Sequence, residues 1–238
     1  MSRLAAAYGT VLALAATGGC LSIPTEGQND LFVEYRFTTE DPEWLMDFVD
    51  FPASQEADVA FVGEYRSLPA GPAITGLAAY LSGNNISDDL FMFWKRPLTG
   101  LLPNGLYDVT ITVEFVTNYG RDCQVGNAAS VWIKAGLVPG EPERVLDNDN
   151  WVRLNLDKGQ QANGSANVLV LGDIRNGQPG CSGSVPFAVN RYTSARHALR
   201  VQASEDGGFW VLFGTESGFE SPHEIYFTRV RFDLRPVS

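Results

Sequence analysis

Leu106-Tyr-Asp-Val-Thr-Ile-Thr-Val-Glu-Phe-Val-Thr117 alternates apolar and polar side chains over most of its length. In an extended chain successive side chains point to opposite faces, so Tyr107, Val109, Ile111, Val113 and Phe115 share one face. Asp108, Thr110, Thr112 and Glu114 take the other. This is a long strand buried on one side, and Leu102-Pro-Asn-Gly105 before it is a turn.

The same pattern recurs outward from it. Tyr226, Val230, Phe232 and Leu234 alternate with Arg229, Arg231 and Asp233. Val152, Leu154 and Leu156 alternate with Arg153, Asn155 and Asp157. Leu31–Phe37, Val131–Ala135 and His197–Ala203 are shorter examples. Leu90–Trp94, Val168–Leu171 and Phe209–Phe213 are apolar on both parities, as strands covered on both faces are. Val59–Tyr65 and Ile74–Leu81 add two more. Pro42–Val49 is the one place in the body where a helix fits, started by Asp41-Pro42; a short turn or strand is the favoured reading. About ten to twelve strands without crossover helices predict an all-β fold, an antiparallel β-sandwich of jelly-roll type.

The N-terminus has a different character. Arg3 is followed by an uncharged, Ala/Leu-rich run, Leu4–Ala16, of secretory length and too short to span a bilayer. Gly18-Gly19-Cys20 closes it. This segment resembles bacterial lipoprotein signal peptides, with Thr17 where that family usually carries Leu. The resemblance implies a signal peptide over 1–19, a lipid on Cys20, and export to the cell envelope. Leu21 after the Cys points by the same resemblance to the outer membrane. An ordinary signal cleaved near Ala15 or Ala16 is the competing reading. Residues 20–30 are expected to be the lipidated Cys and a polar tether, and 31–238 a single domain. With Cys20 acylated, the three Cys of the chain leave Cys123 and Cys181 as a disulfide pair.

Removing Arg3 with the signal changes the net charge from −11 to −12. An acidic body without a Lys/Arg cluster repels phosphates, so nucleic acid is excluded as a partner. Catalytic signatures are missing. The two His, His197 and His223, stand in no ligand spacing, and Gly214–Gly218 does not have nucleophile-elbow spacing.

The densest polar group, Ser82–Asp89, offers Asn84, Asn85, Asp88 and Asp89 as a candidate site for Ca²⁺, which prefers hard oxygen ligands. A hairpin loop capped by Asn and Asp is the competing reading. Two further loops, 157–161 and 216–220, combine charge, amide and aromatic groups. Lys158, Glu216, Phe219 and Glu220, with Trp94 as a platform, are therefore candidate ligand contacts of the kind sugars use.

Tyr35-Arg-Phe-Thr-Thr-Glu-Asp-Pro-Glu-Trp44, the 102–115 run and the final strand Ile225–Leu234 together resemble carbohydrate-binding, jelly-roll modules of galactose-binding-like architecture. That likeness implies a non-catalytic glycan-binding domain. A structural or assembly lipoprotein that binds another envelope protein is the alternative, followed by a carboxylate-based glycan-active enzyme.

Overall fold

The computed structural model describes residues 19–22, 31–71, 75–124, 126–181 and 185–237, the first four by backbone alone. The expected signal segment through residue 18 and most of the expected tether lie outside the described residues. The described strands are β1 (Gly19–Ser22), β2 (Leu31–Arg36), β3 (Leu45–Val49), β4 (Phe51–Pro52), β5 (Val62–Ser67), β6 (Leu77–Asn84), β7 (Phe91–Leu98), β8 (Leu106–Thr117), β9 (Val131–Val138), β10 (Arg144–Leu146), β11 (Trp151–Leu154), β12 (Val168–Asp173), β13 (Ala188–Thr193), β14 (Leu199–Gln202), β15 (Phe209–Ser217) and β16 (Pro222–Pro236). All described pairings are antiparallel.

Two sheets form a β-sandwich. One has five strands in the order β12-β9-β15-β7-β3. The other has eight strands and is built around β16 and β8. The chain passes from one sheet to the other between β6, β7, β8 and β9, and again between β14, β15 and β16. This is the alternating course of a jelly roll. β16 is long enough to hold two neighbours on one edge: its first half pairs with β6 and its second half with β2. β8 runs along its other edge. β1 adds to β2 with Cys20 opposite Glu34, so the sheet begins within the segment expected as a tether.

The strand at 106–117 has the expected faces: Tyr107, Val109, Ile111, Val113 and Phe115 are buried. Pro42–Val49 contributes strand β3, in keeping with the favoured turn-or-strand reading, and the helical residues fall later, at 53–59. The face assigned to Tyr226 changes. A bulge between Phe227 and Arg229 inserts one residue, so Phe227 and Val230 both face the core. Tyr226 turns outward and packs with Tyr80, Ala78 and Val116 in a small cluster of its own. Strand β13 was not expected. Its inner face carries Asn190 between Ala188 and Tyr192, which breaks the apolar alternation. Asn190 is accommodated by donating to the Arg175 carbonyl at 2.7 Å.

Cys123 and Cys181 form the disulfide, with Cα atoms 4.4 Å apart. Around it, residues 120–122 donate backbone hydrogen bonds to the carbonyls of Cys181, Gln178 and Gly180. The approach is so close that a Cβ at Gly120 would collide with the Gly180 carbonyl.

The outer face of the five-stranded sheet is covered by the chain's own 139–167 excursion, which carries β10, β11 and a long loop. The sheet reaches the excursion through charges. Glu216 on β15 and Lys134 on β9 are both fully buried and form an ion pair. Lys134 Nζ also donates to the Lys158 and Asn163 carbonyls at 3.1 and 3.0 Å. Lys158 Nζ lies 2.6 Å from Glu216 and 3.0 Å from Asp50. Arg153 holds the other Asp50 oxygen at 3.2 Å. Nearer the sheet's other end, Lys95 donates to the Pro142 carbonyl at 2.6 Å. Burial pushes the Lys134 ammonium below its ordinary pKa, with Glu216 opposing. Burial also acts to lower Lys158, but Asp50 and Glu216 outweigh it and the net shift is upward.

A second buried polar link joins the two sheets. His223 on β16 lies 3.1 Å from Thr215 Oγ1 on β15 through Nε2. Burial pushes its imidazole down to about 4, so it is neutral at physiological pH.

Three outcomes follow. Cys123→Ser/Cys181→Ser should lower unfolding free energy by about 2–4 kcal/mol, measured in urea, because the open chain regains loop entropy. Glu216→Gln leaves two buried ammonium groups short of their counter-charge; denaturation should show a loss of roughly 3–5 kcal/mol. The unfolded chain protonates His223 near its ordinary value of 6.5, and the folded chain only near 4. Its contribution is therefore complete above about 6.5 and lost as pH falls towards 4, on the order of 3 kcal/mol. His223→Gln should flatten the stability curve in that window.

Candidate functional site

A cavity of about 580 Å³ opens at the end of the sandwich where β6 ends and β16 begins. The 118–127 segment after β8 and the 218–221 turn between β15 and β16 converge there with the end of β6 and Ala60. Tyr119 and Phe219 supply aromatic surface, both half-buried. Asn84, Asn118 and Asn127 supply amides, and Glu224 the carboxylate.

Each wall is fixed by local bonding. Asn127 caps the following helical turn by accepting from Ala128 N at 2.7 Å, so its Nδ2 is not needed there. The Tyr119 carbonyl accepts from Asn176 N at 2.7 Å, in the ladder beside the disulfide. Burial pushes the Tyr119 phenol above its ordinary pKa, offset in part by a hydrogen bond to the Glu224 backbone. Glu224 Oε2 accepts from the Tyr80 hydroxyl at 2.8 Å, which orients the carboxylate. Asn84 donates to the Asp58 carbonyl at 3.2 Å. The cavity thus has aromatic faces beside neutral donors and acceptors, the composition that receives a polyhydroxylated ring.

Of the residues singled out in the sequence, Asn84 and Phe219 meet at this cavity. The others go elsewhere. Asn85 is buried and acts as a staple. Its Nδ2 donates to the Ser217 and Phe219 carbonyls at 2.7 and 3.0 Å, and its Oδ1 accepts from Ser87 N and Leu90 N. Asp89 accepts from Gln160 Nε2 at 3.1 Å, and the Asp88 carbonyl accepts from Gln161 at 3.0 Å. These groups face N–H donors and do not converge on one point. Among the described residues, no group of three His, Cys, Asp or Glu comes together as metal ligands. Asn85 and Asp89 are thus engaged in turn and loop hydrogen bonds.

Trp94 is no platform. It is fully buried, packed edge-on to Trp44 and Tyr65 at centroid distances of 6.4 and 5.1 Å. Tyr35, Phe37 and Trp44 belong to the same aromatic core. Lys158 and Glu216 are ion-paired with each other between the five-stranded sheet and the 139–167 excursion, away from this cavity. Glu220 is exposed beside the cavity and outside its lining. Sequence reasoning missed Tyr119, Asn118, Asn127 and Glu224. Asn118 and Tyr119 stand in a turn next to Cys123, and their only signal was that proximity.

No protein-family model matches the chain, and no curated protein does. Solved structures with similarity include TmCBM27, a carbohydrate-binding module described for specific mannan recognition. It is 11% identical, with a TM-score of 0.38 over 91% of this chain and 98% of that one. The K3 cleaved adhesin domain of Lys-gingipain from Porphyromonas gingivalis is 15% identical, with a TM-score of 0.36 over 81% of this chain and 91% of that one. The enzymatically active domain of tailspike protein 4 from bacteriophage CBA120 is 9% identical, with a TM-score of 0.37 over 81% of this chain. This chain spans 19% of that protein's length. At these TM-scores the β-sandwich assignment rests on the strand pairing itself.

Proposed function

We propose that this chain is an exported, lipid-anchored envelope protein whose β-sandwich binds glycan without catalysis. The cavity at the start of β16 carries the binding half of this reading: two aromatic side chains stand among three amides and one carboxylate. Aromatic faces take the apolar side of a sugar ring, and amides and carboxylates take its hydroxyls. The anchoring half draws support from cysteine parity. The Cys123–Cys181 bond accounts for two of three Cys, which leaves Cys20 at the end of a secretory-type apolar run. Two acyl chains on Cys20 would hold an acidic body at a membrane that its net charge does not favour. The residue after the Cys is Leu21, in keeping with an outer-membrane destination.

A glycan array followed by calorimetry tests the binding half. Phe219→Ala and Tyr119→Ala should each weaken a detected glycan at least tenfold while thermal melting stays near that of the parent. A complete panel without binding removes the glycan reading. Membrane fractionation tests the anchor: Cys20→Ser should move the protein to the soluble fraction, and unchanged partitioning would refute lipidation.

A further inference from the structure

The chain's net charge of −11 hides an uneven distribution. Cross-strand pairing gathers arginines onto the outward face of one half of the eight-stranded sheet. At one level Arg36 on β2, Arg229 on β16 and Arg191 on β13 stand in line with Glu114 on β8. At another, Arg235 on β16 and Arg200 on β14 flank Asp108 on β8. Arg231 lies between these levels, opposite Glu34. Arg196 joins from the turn after β13, where His197 N donates to Thr110 Oγ1 at 3.0 Å. This half of the face holds seven of the chain's 17 basic residues and, in Glu34, Asp108, Glu114 and Asp233, four of its 28 acidic ones. No run of sequence signals it, because four strands and a turn supply the seven.

The two signs also lie at different depths. The side chains of Arg36, Arg191 and Arg200 are 59–60% exposed, whereas their partners Glu34, Glu114 and Asp108 are only 13–16% exposed. A flat partner on this face meets guanidinium groups before carboxylates. Arg196 and Arg235 are exposed and, among the described residues, form no ion pair. Together they line a depression of about 260 Å³. The carboxylates in it are already matched: Asp108 accepts from Arg200 at 2.7 and 3.0 Å, and Asp233 from Arg231 at 3.0 Å. Two unmatched guanidinium groups beside such a depression suit phosphate oxygens.

The sheet edge indicates where the phosphates come from. β1 lies outermost, beyond β2, and its backbone register sets Cys20 opposite Glu34. An acyl anchor on Cys20 would therefore start at the rim of the arginine face. The other half of the sheet's outward face carries Glu64 and Glu224 against Arg66 alone. Stacked sheets lie about 10 Å apart, so acidic groups of the other layers stand at or beyond the Debye length of about 10 Å in 0.1 M salt. Their repulsion is screened where the arginines make contact.

We propose that the arginine half of this face lies against an anionic phospholipid surface, with headgroup phosphates on Arg196 and Arg235, and so orients the body that Cys20 anchors. The inference rests on the anchor reading for its membrane and goes beyond it by naming the face and the lipid chemistry. The attraction is weakened by salt, so it orients the acylated protein and does not replace the anchor.

The experiment uses the full chain with Cys20→Ser, which has no acyl group to mask the contact. It is sedimented with vesicles of phosphatidylcholine alone and of phosphatidylcholine with an equal share of phosphatidylglycerol. In about 0.1 M salt it should partition at least tenfold more strongly to the vesicles with phosphatidylglycerol, and in about 0.5 M salt the difference should vanish. Arg196→Gln and Arg235→Gln should each weaken that partitioning about fivefold. Arg121→Gln removes an exposed charge at the cavity end of the sandwich and should change it less than about twofold. All three side chains are exposed, so folding is not at stake. Equal binding to both vesicles, binding to neither, or an equal loss in Arg121→Gln would overturn the inference. Tighter binding to a soluble polyuronate than to the vesicles would also overturn it, assigning the face to acidic polysaccharide. None of these outcomes touches the anchor, because no acyl chain is present. Unchanged membrane partitioning of Cys20→Ser in cells after a high-salt wash would remove the anchor, and the orientation with it.

Discussion

The buried chain of charges from Lys134 through Glu216 and Lys158 to Asp50 governs what each face of this sandwich can do. Glu216 and Lys134 sit on the outward face of the five-stranded sheet with no water around them. Such groups are tolerable only when every one meets an opposite charge or a carbonyl. The 139–167 excursion supplies those partners, and in doing so it covers the face. Two carboxylates, Asp50 and Glu216, balance two ammonium groups, Lys134 and Lys158. Arg153 adds a partly exposed guanidinium on Asp50, and breaking one of the buried pairs leaves an uncompensated charge inside. One broad surface that a β-sandwich could offer a ligand is thus occupied by the protein's own chain.

A larger cavity than those along the excursion opens at the end of the sandwich. β16 organises this end. Its bulge at 228 lets Phe227 and Val230 both face the core, and it puts Glu224 and Tyr226 on the outer surface with Tyr80. His223, one residue before Glu224, turns inward to Thr215. His223 and Glu224 thus leave β16 on opposite faces, one buried and one half-exposed, at the strand end that borders the cavity. The disulfide sets the opposite wall, because the 118–127 segment is laced to 176–181 beside it.

Much of the fold was legible in local patterns. The 106–117 strand, the long final strand and the doubly apolar Phe209–Phe213 run announced their environments by side-chain parity alone. Legibility failed where one residue broke the parity. Asn190 hid β13, and the bulge at 228 reversed the expected face of Tyr226. The candidate site was less legible. Asn84 and Phe219 stood out for their texture and do meet at the cavity. Lys158 and Glu216 stood out equally and meet beneath the 139–167 excursion, because a charged residue looks the same in sequence whether water or a buried partner receives it. Asn85 looked like a metal ligand and is a staple between two turns.

By itself the sequence determined the all-β class, the faces of the long strands, the pairing of Cys123 with Cys181 and the separate character of the first twenty residues. Each follows from something local: the two-residue alternation of a strand, the parity of three thiols, or an uninterrupted apolar run. Only the tertiary structure decided how the buried polar groups would be paired. Glu216 is matched by lysines 82 and 58 residues earlier in the chain. His223 is buried against Thr215 of a strand in the other sheet. Neither outcome has a local signature, because burial is settled by which distant strand or loop comes to lie across a given side chain.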